Sequence, residues 1–581
     1  MSVVANMVGL LDDQDFSVCI SAALSLQAFF SKESACFEYL GQNLQHIVER
    51  YIFILQKVAV EEVMQAFDIL INMYEGRLLP MSADILSILL SAFKDYKKDE
   101  DNDNAVFTAM STIDCISSIV INGCENPQYY DTVVTAVMPT IIEVFSNNEC
   151  DFYDASLMIV RTFANFYANA RTTQNMIWEL FPRLVSIIQM QAIDYIGGFF
   201  PVVDCYMSIP GSGMLDHQFN GKSYLEMMYD FVSSVAFDSE ISDVEQCYAM
   251  AILMIIIHYY MEQTDVVLKP AMQIVIQFVE KKKNEIQELM NNPSEEDAEV
   301  IEYTLDEIRE SIVRALLVVC SAIIIDRSRA MACMQELGYA DTFLIDMLSY
   351  LDSFTSFFPC KIGTMALAAL LAMPQEQLPA SYQNAYNHIF AGSMTLLRMA
   401  NETQPNEEEE EIDYNLLLER IQGQNFKEND WGYDDENDVK SEDLTDDELR
   451  HLQEIGGGCG MDFVEIDQDL YNAVTKINYV AYVQQCVRIF GNSKPDVANA
   501  VFKSLTPDIA SFVDELMKLT FEEEQQIDSC LDVVYAKRKG SLGRFATIGG
   551  GEADVGSIDD YVVVKGIDCF FELLKGLRTV L

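Results

Sequence analysis

Val133-Val-Thr-Ala-Val-Met-Pro139-Thr-Ile-Ile-Glu-Val-Phe145 and Met176-Ile-Trp-Glu-Leu-Phe-Pro182-Arg-Leu-Val185 share one pattern, an apolar helix starting around a proline in register. The two prolines are 43 residues apart, inside the period of ~40–47 residues of two-helix HEAT-type repeats. Pro201, in Gly197-Gly-Phe-Phe-Pro-Val-Val203, and Pro270, in Val267-Leu-Lys-Pro-Ala-Met272, occupy similar apolar settings. A single helix pair of this kind cannot bury its apolar face alone, so pairs stack into a solenoid. The expected fold is therefore all-α: a HEAT-repeat α-solenoid, an armadillo-like superhelix, carrying an acidic disordered insertion. Such an array offers broad binding surfaces and seldom an active-site pocket.

Apolar residues recur at three- and four-residue steps through the first 400 residues, as in Val63, Phe67, Leu70, Ile71 and Tyr74. Loop signals punctuate them at Glu75-Gly-Arg77, Asp99-Glu-Asp-Asn-Asp-Asn104, Asn147-Asn-Glu149, Pro210-Gly-Ser-Gly213 and Asn291-Asn-Pro-Ser294. Residues 1–400 are thus expected to be the solenoid. Residues 401–466 should be an acidic, largely disordered loop with a Gly-rich end, Gly456-Gly-Gly-Cys-Gly460. Between Glu402 and Glu448, nineteen Asp and Glu face only Arg420, Lys427 and Lys440. Helical repeats return over 467–538, with Pro507 marking a helix start. Residues 539–581 form a Gly-rich linker and an apolar C-terminal segment.

Half of the 581 residues are hydrophobic, enough for a continuous core, and the formal net charge is −54. The acidic insertion contributes −16 of it, so the rest of the chain is acidic as well. Phosphate binding needs clustered Lys and Arg, which argues against nucleic acid and anionic membrane surfaces as partners. Basic proteins suit such a field, which speeds their encounter in a salt-dependent way. The plainer reading is that the charge only keeps a large helical surface soluble.

The fourteen cysteines show no metal or redox spacing, and no Cys-x-x-Cys occurs. Most lie in apolar helical stretches, as Cys320 does, which suits buried, reduced thiols of a cytosolic or nuclear protein. No basic stretch followed by an apolar core opens the chain, and Asp12, Asp13 and Asp15 come early, so no secretory signal is expected. The longest apolar run, Cys247 to Met261, is shorter than a span of ~20 residues and contains His258. Membrane insertion is not expected.

No enzymatic motif holds together, and neither cofactor nor metal is implied. Gly221-Lys222-Ser223 ends like a phosphate-binding loop, but the required first glycine is Asp216. Asp99, Asp101 and Asp103 imitate a calcium loop, yet Asn104 and Met110 stand at its glycine and glutamate positions. Five scattered histidines, at 46, 217, 258, 388 and 451, suggest no ligand set, and His258 reads as a packed core residue. The 28 methionines could furnish adaptable binding surface, but at helical spacing they are more simply core.

Several segments, in order, resemble importin-β-like nuclear transport receptors, closest to the C-terminal portion of the importin 7 and importin 8 subfamily. They are Ile20-Ser-Ala-Ala-Leu-Ser-Leu-Gln27, Asp103-Asn-Ala-Val-Phe-Thr-Ala-Met110 after its acidic loop, and Met176-Ile-Trp-Glu-Leu-Phe-Pro182. Asp194-Tyr-Ile-Gly-Gly-Phe-Phe-Pro201 and Lys222-Ser-Tyr-Leu-Glu-Met-Met-Tyr229 follow at similar spacing. The acidic stretch to Asp430-Trp431, then Leu505-Thr-Pro507 leading into Leu519 to Arg538, complete the series.

The resemblance implies a nuclear import receptor, a karyopherin and not an enzyme, that binds cargo in the cytoplasm and carries it through nuclear pores into the nucleus. It implies basic cargo such as ribosomal proteins or histones, Phe-Gly nucleoporins as pore partners, and release by GTP-bound Ran GTPase. The main Ran-binding half of the family lies in N-terminal repeats that this sequence does not show; a truncated paralogue would be expected to respond poorly to Ran, whereas a fragment of an ordinary receptor would belong to a Ran-gated protein. Candidate cargo-binding residues are Glu100, Asp101 and Asp103, then Glu407, Glu408, Glu409, Glu410 and Glu411, then Asp434, Asp435, Glu436 and Asp438. The alternative is a HEAT-repeat scaffold or regulatory subunit without transport activity.

Overall fold

The computed structural model describes residues 2–31, 36–58, 60–98, 103–211, 213–263, 265–291, 298–403 and 477–519. It is all-α apart from one two-residue hairpin, Gln218–Phe219 paired antiparallel with Lys222–Ser223. Two compact units divide the described chain, one ending at Val235 and the other beginning at Ala236.

In the first unit the helices are α1 (Ser2–Leu10), α2 (Phe16–Gln27), α3 (Phe37–Gln42), α4 (Leu44–Leu55), α5 (Glu61–Met73), α6 (Glu75–Leu78), α7 (Ser82–Tyr96) and α8 (Asp103–Glu125). They continue as α9 (Tyr130–Ser146), α10 (Tyr153–Asn165), α11 (Gln174–Gln191), α12 (Ile196–Ser208), α13 (Gly213–Asp216) and α14 (Tyr224–Phe237), whose last turn carries the boundary. Two rows are built. Helices α2, α5, α8, α10 and α12 touch in succession, and α4, α7, α9 and α11 form a second succession behind them. This is the HEAT-type stacking expected from the proline-marked repeat, with each pair covering its neighbour's apolar stripe.

Of the four prolines only Pro270 stands in the first turn of its helix, Leu268–Asn291. Pro139, Pro182 and Pro201 all lie inside α9, α11 and α12. A helix-interior proline has no N–H for the carbonyl four residues earlier. At Pro182 that carbonyl belongs to Trp178, which is buried, and the Tyr224 hydroxyl donates to it at 3.0 Å. A side chain from α14 thus replaces the backbone bond that Pro182 removes. Glu75-Gly-Arg77, expected as a loop, is the short helix α6. By contrast, the helix Pro507–Leu516 begins at its proline as the sequence suggested.

Buried tyrosines join neighbouring helices repeatedly. Tyr51 donates to the carbonyl of Ala23 at 2.6 Å, Tyr130 to Phe163 at 2.6 Å and Tyr206 to Ile177 at 2.7 Å. A buried phenol needs a partner, and carbonyls retain a second lone pair even within a helix. Each bond therefore fixes the height of one helix against the next.

The second unit holds α15 (Asp243–Tyr260), α16 (Leu268–Asn291), α17 (Ala298–Glu336), α18 (Ala340–Ser349), α19 (Phe357–Ala372), α20 (Ala380–Asn384), α21 (Tyr386–Glu402), α22 (Tyr479–Ser493), α23 (Pro495–Ser504) and α24 (Pro507–Leu516). Helix α17 is two helices in one run. Asp326 breaks it (φ −149°, ψ 89°) and its carboxylate accepts from the Arg329 N–H at 3.0 Å, capping the second piece. Helix α17 packs on α15, α16 and α19, and α19 packs on α21 and α22. At Gly363 a Cβ would come within 2.8 Å of Leu396 and Phe354, so a glycine is required where α19 crosses α21.

From Gln246 to Met261 every residue is buried, His258 included, as expected for a core helix. Two other stretches, Glu75–Tyr96 and Asn104–Glu125, are long and apolar enough by length and composition to cross a membrane. A search for the longest unbroken apolar run misses them because polar residues interrupt both. In the fold they are α6–α7 and α8, packed against each other and against α5, α9 and α10.

Candidate functional site

The acidic residues singled out from sequence fall almost entirely outside the described residues: Glu100, Asp101, Glu407 to Glu411, and Asp434, Asp435, Glu436 and Asp438. Asp103 is the first residue of α8. No bringing-together of these groups is described. The described residues instead present another set of carboxylates.

Asp68 on α5, Asp114 on α8 and Asp154 on α10 sit on three successive helices of one row. Their spacings of 46 and 40 residues match the repeat period. Asp68 accepts from the Ser118 hydroxyl at 2.7 Å and from the Asn72 amide at 3.0 Å. Burial pushes its pKa up, against the pull of those two hydrogen bonds. Asp114, one turn before Ser118, is raised by burial and then by repulsion from Asp68 and Asp154. Asp154 reaches toward α12, with its Oδ1 3.8 Å from where a Cβ on Gly198 would be. Like charges thus line up with no described cation paired to them across the three helices.

Apolar residues interleave with the aspartates. On α8, Phe107, Met110, Asp114, Ser118 and Ile121 follow at steps of three or four, placing them on one face. Phe107 is 50% exposed, Met110 37%, Ile121 40%, and Met158 on α10 42%. The methionine reading therefore divides: most described methionines are core, but Met110, Met158, Met190 and Met290 are surface, the first two beside these aspartates. A thioether and an aromatic ring beside carboxylates favour a partner that carries both positive charge and apolar stems, as lysine and arginine do. The sequence signal that could have found this set was a carboxylate recurring once per repeat.

Other candidate chemistry is absorbed by structure. Asn220 and Gly221 form the tight turn of the hairpin, both with positive φ (52° and 81°), and Lys222 opens its second strand and pairs with Asp230 at 2.5 Å. Among the described residues no three His, Cys, Asp or Glu converge into a metal site. Burial pushes the Cys333 thiol up to about 11 and Cys247 up to about 12, which makes both poor nucleophiles. A small cavity between α5, α7 and α8 is lined by Ile71, Leu78, Ile85 and Ile119, with Glu75 its one ionisable residue. Acid–base catalysis has no pair there.

No protein-family profile matches the chain. Curated relatives do. It is 20% identical over 254 residues to importin-8 of Mus musculus, covering 43% of this chain and 24% of that one. Importin-8 of Homo sapiens is 21% identical over 254 residues, 43% of this chain and 23% of its own. A probable importin-7 homolog of Dictyostelium discoideum is 19% identical over 235 residues, 40% and 21%. The chain is importin-like. The importin-like match spans about a quarter of the length of these relatives. Among solved structures, Lph2, a bidirectional nuclear transport receptor of S. cerevisiae, aligns with 89% of this chain and 50% of its own. Its TM-score of 0.45 at 12% identity is too low to bear on fold or function.

Proposed function

We propose that this importin-like chain acts as a nuclear transport receptor that binds basic cargo proteins and carries them between cytoplasm and nucleus. The single observation that supports this reading most is the importin similarity falling on a chain whose repeats present an aligned acidic and apolar face. Ribosomal proteins and histones have the right chemistry, lysine- and arginine-rich segments with apolar stems. The mechanism is stoichiometric. Carboxylates attract and orient the cargo over a distance set by salt, and the exposed Met and Phe surface then holds it. The acidic stretches at Glu407 to Glu411 and Asp434 to Asp438 would add to the same field. Nuclear-pore passage would use Phe-Gly nucleoporins, with Ran controlling release.

The test is binding to Phe-Gly repeat resin together with nuclear entry in permeabilised cells, alongside a histone pull-down over a salt series. A transport receptor binds the resin, enters nuclei, and loses histone as salt rises. Histone binding without resin binding or entry would instead favour a scaffold. Histone affinity that stays flat across salt would overturn the acidic-face mechanism.

A further inference from the structure

Lys494 stands at the corner where α22 turns into α23, as the last residue before Pro495. It is only 7% exposed. Its Nζ donates to the carbonyl of Leu371 at 2.8 Å and to that of Met373 at 2.6 Å. Helix α19 ends at Ala372, so these are carbonyls at its C-terminal end, where intrahelical donors run out. The same ammonium lies over the rings of Tyr386 at 5.2 Å and Phe490 at 5.5 Å. A cation is thus set at the negative end of a helix and between two aromatic faces.

The helices beyond this corner behave as one piece. Gln484 on α22 donates to the carbonyls of Leu516 and Leu519 at 2.9 and 2.8 Å, tying α22 to the end of α24. Toward the rest of the unit, Phe390 on α21 meets Phe490 and Phe502, and Tyr479 donates to Asn401 at 2.7 Å. Tyr479 is itself buried, and the Nζ of Lys361 on α19 lies 5.7 Å over its ring. Lys494 adds two buried hydrogen bonds at the opposite end of α22.

We propose that α22, α23 and α24 form a separable terminal module and that Lys494 is the latch holding it on the C-terminal end of α19. The latch responds to pH. Burial lowers the Lys494 pKa to about 8, with Glu376 opposing, and Tyr386 is the titratable ring facing it. A detached lysine keeps its proton to the ordinary value of about 10.5. Between those values the docked state holds fewer protons than the detached one, so docking strengthens as pH rises. The neutral amine still carries two N–H groups for its two carbonyls. The gain from pH 7 to pH 9 is about tenfold in the docking equilibrium.

Hydrogen–deuterium exchange on the full chain, with rates corrected for intrinsic pH dependence, tests this directly. In K494M, protection over 479–516 should fall at least tenfold while 243–372 keeps its protection. The wild-type rise in protection between pH 7 and pH 9 should shrink in K494M, the remainder belonging to Lys361, whose pKa burial also lowers to about 8 beside Tyr479 of α22. K494Q, which retains a donor without titrating, should recover part of the protection and no more of the pH response than K494M. Unchanged protection in K494M, a uniform loss across 236–403, or a pH response undiminished in K494M and K494Q would each overturn the latch.

Discussion

The two units solve one packing problem with opposite placements of charge. In the first unit no described Asp, Glu, Lys or Arg is fully buried, although Lys97 is largely enclosed between Glu143 and Glu149. Asp68, Asp114 and Asp154 crowd one another across α5, α8 and α10, and the helices are tied by tyrosine hydroxyls on carbonyls. In the second unit the charges go inside. Lys282 pairs with Asp243 and Glu285, Lys283 with Asp346, and Arg314 with Glu310, with Lys282, Asp346 and Arg314 nearly buried. The run Lys281-Lys-Lys283 looks like an exposed basic patch in the sequence. In the fold its members reach separate partners, Lys281 the carbonyl of Ala236 and the other two those carboxylates. The difference teaches where each unit can afford change: surface charge is available for partners, whereas buried charge is committed to the fold.

Breaking a buried pair should therefore show the largest effect. K283M leaves the Asp346 carboxylate in a site that already raises its pKa by burial, against Lys283 and Tyr339. Loss of about 3–5 kcal/mol from the second unit is expected. The matching cut in the first unit, K222M at the exposed Lys222–Asp230 pair, should cost far less, because solvent screens that pair. Urea denaturation of both variants checks the contrast, and equal losses would erase it. The K283M loss should shrink as pH falls, because the stranded carboxyl of Asp346 then takes up a proton.

A smaller effect is expected from Y224F, which strands the Trp178 carbonyl that Pro182 leaves open. Its cost should be about 1–3 kcal/mol and local to α11 and α14, read by hydrogen exchange there. Restoring the missing N–H by P182A in the Y224F background should recover part of it. No recovery would mean the tyrosine acts by packing alone.

The smallest change in stability belongs to D114N, and it should be a gain. Asp114 is raised by burial and by Asp68 and Asp154, so the folded unit takes up its proton more readily than the unfolded chain. Stability from this group consequently rises as pH falls through the raised value toward the ordinary carboxylate range, and the neutral amide should mimic that at pH 7. Thermal unfolding should shift upward by a degree or two, roughly the return on a few tenths of a kcal/mol. Histone affinity should fall in the same variant, and about tenfold when Asp68 and Asp154 are also changed to Asn, at roughly 0.5 kcal/mol per exposed pair. A D114N protein with weaker stability and full affinity would place the aspartates in the fold's service instead.

The fold class was legible because helix periodicity is local: Val63, Phe67, Leu70 and Ile71 face one way on α5 whatever α8 does. Helix starts were less so. Pro507 opens α24, whereas Pro182 sits mid-helix, since the compensating hydroxyl of Tyr224 lies 42 residues downstream. The acidic composition pointed to basic partners, but it directed attention to the dense runs near Glu100 and Glu407. Asp68, Asp114 and Asp154 are isolated carboxylates in apolar helices, and nothing within a few residues of each distinguishes them.

By itself, then, the sequence determined that this chain is helical, repetitive and acidic, because propensity, periodicity and charge are properties of short segments. Only the tertiary structure decided which charges are available. Stacking α5, α8 and α10 brings three aspartates 46 and 40 residues apart onto one face. The same stacking in the second unit buries Lys282 and delivers Lys494 to carbonyls more than a hundred residues earlier. Coulomb energy and desolvation depend on distance and burial, and both are set by which helices become neighbours.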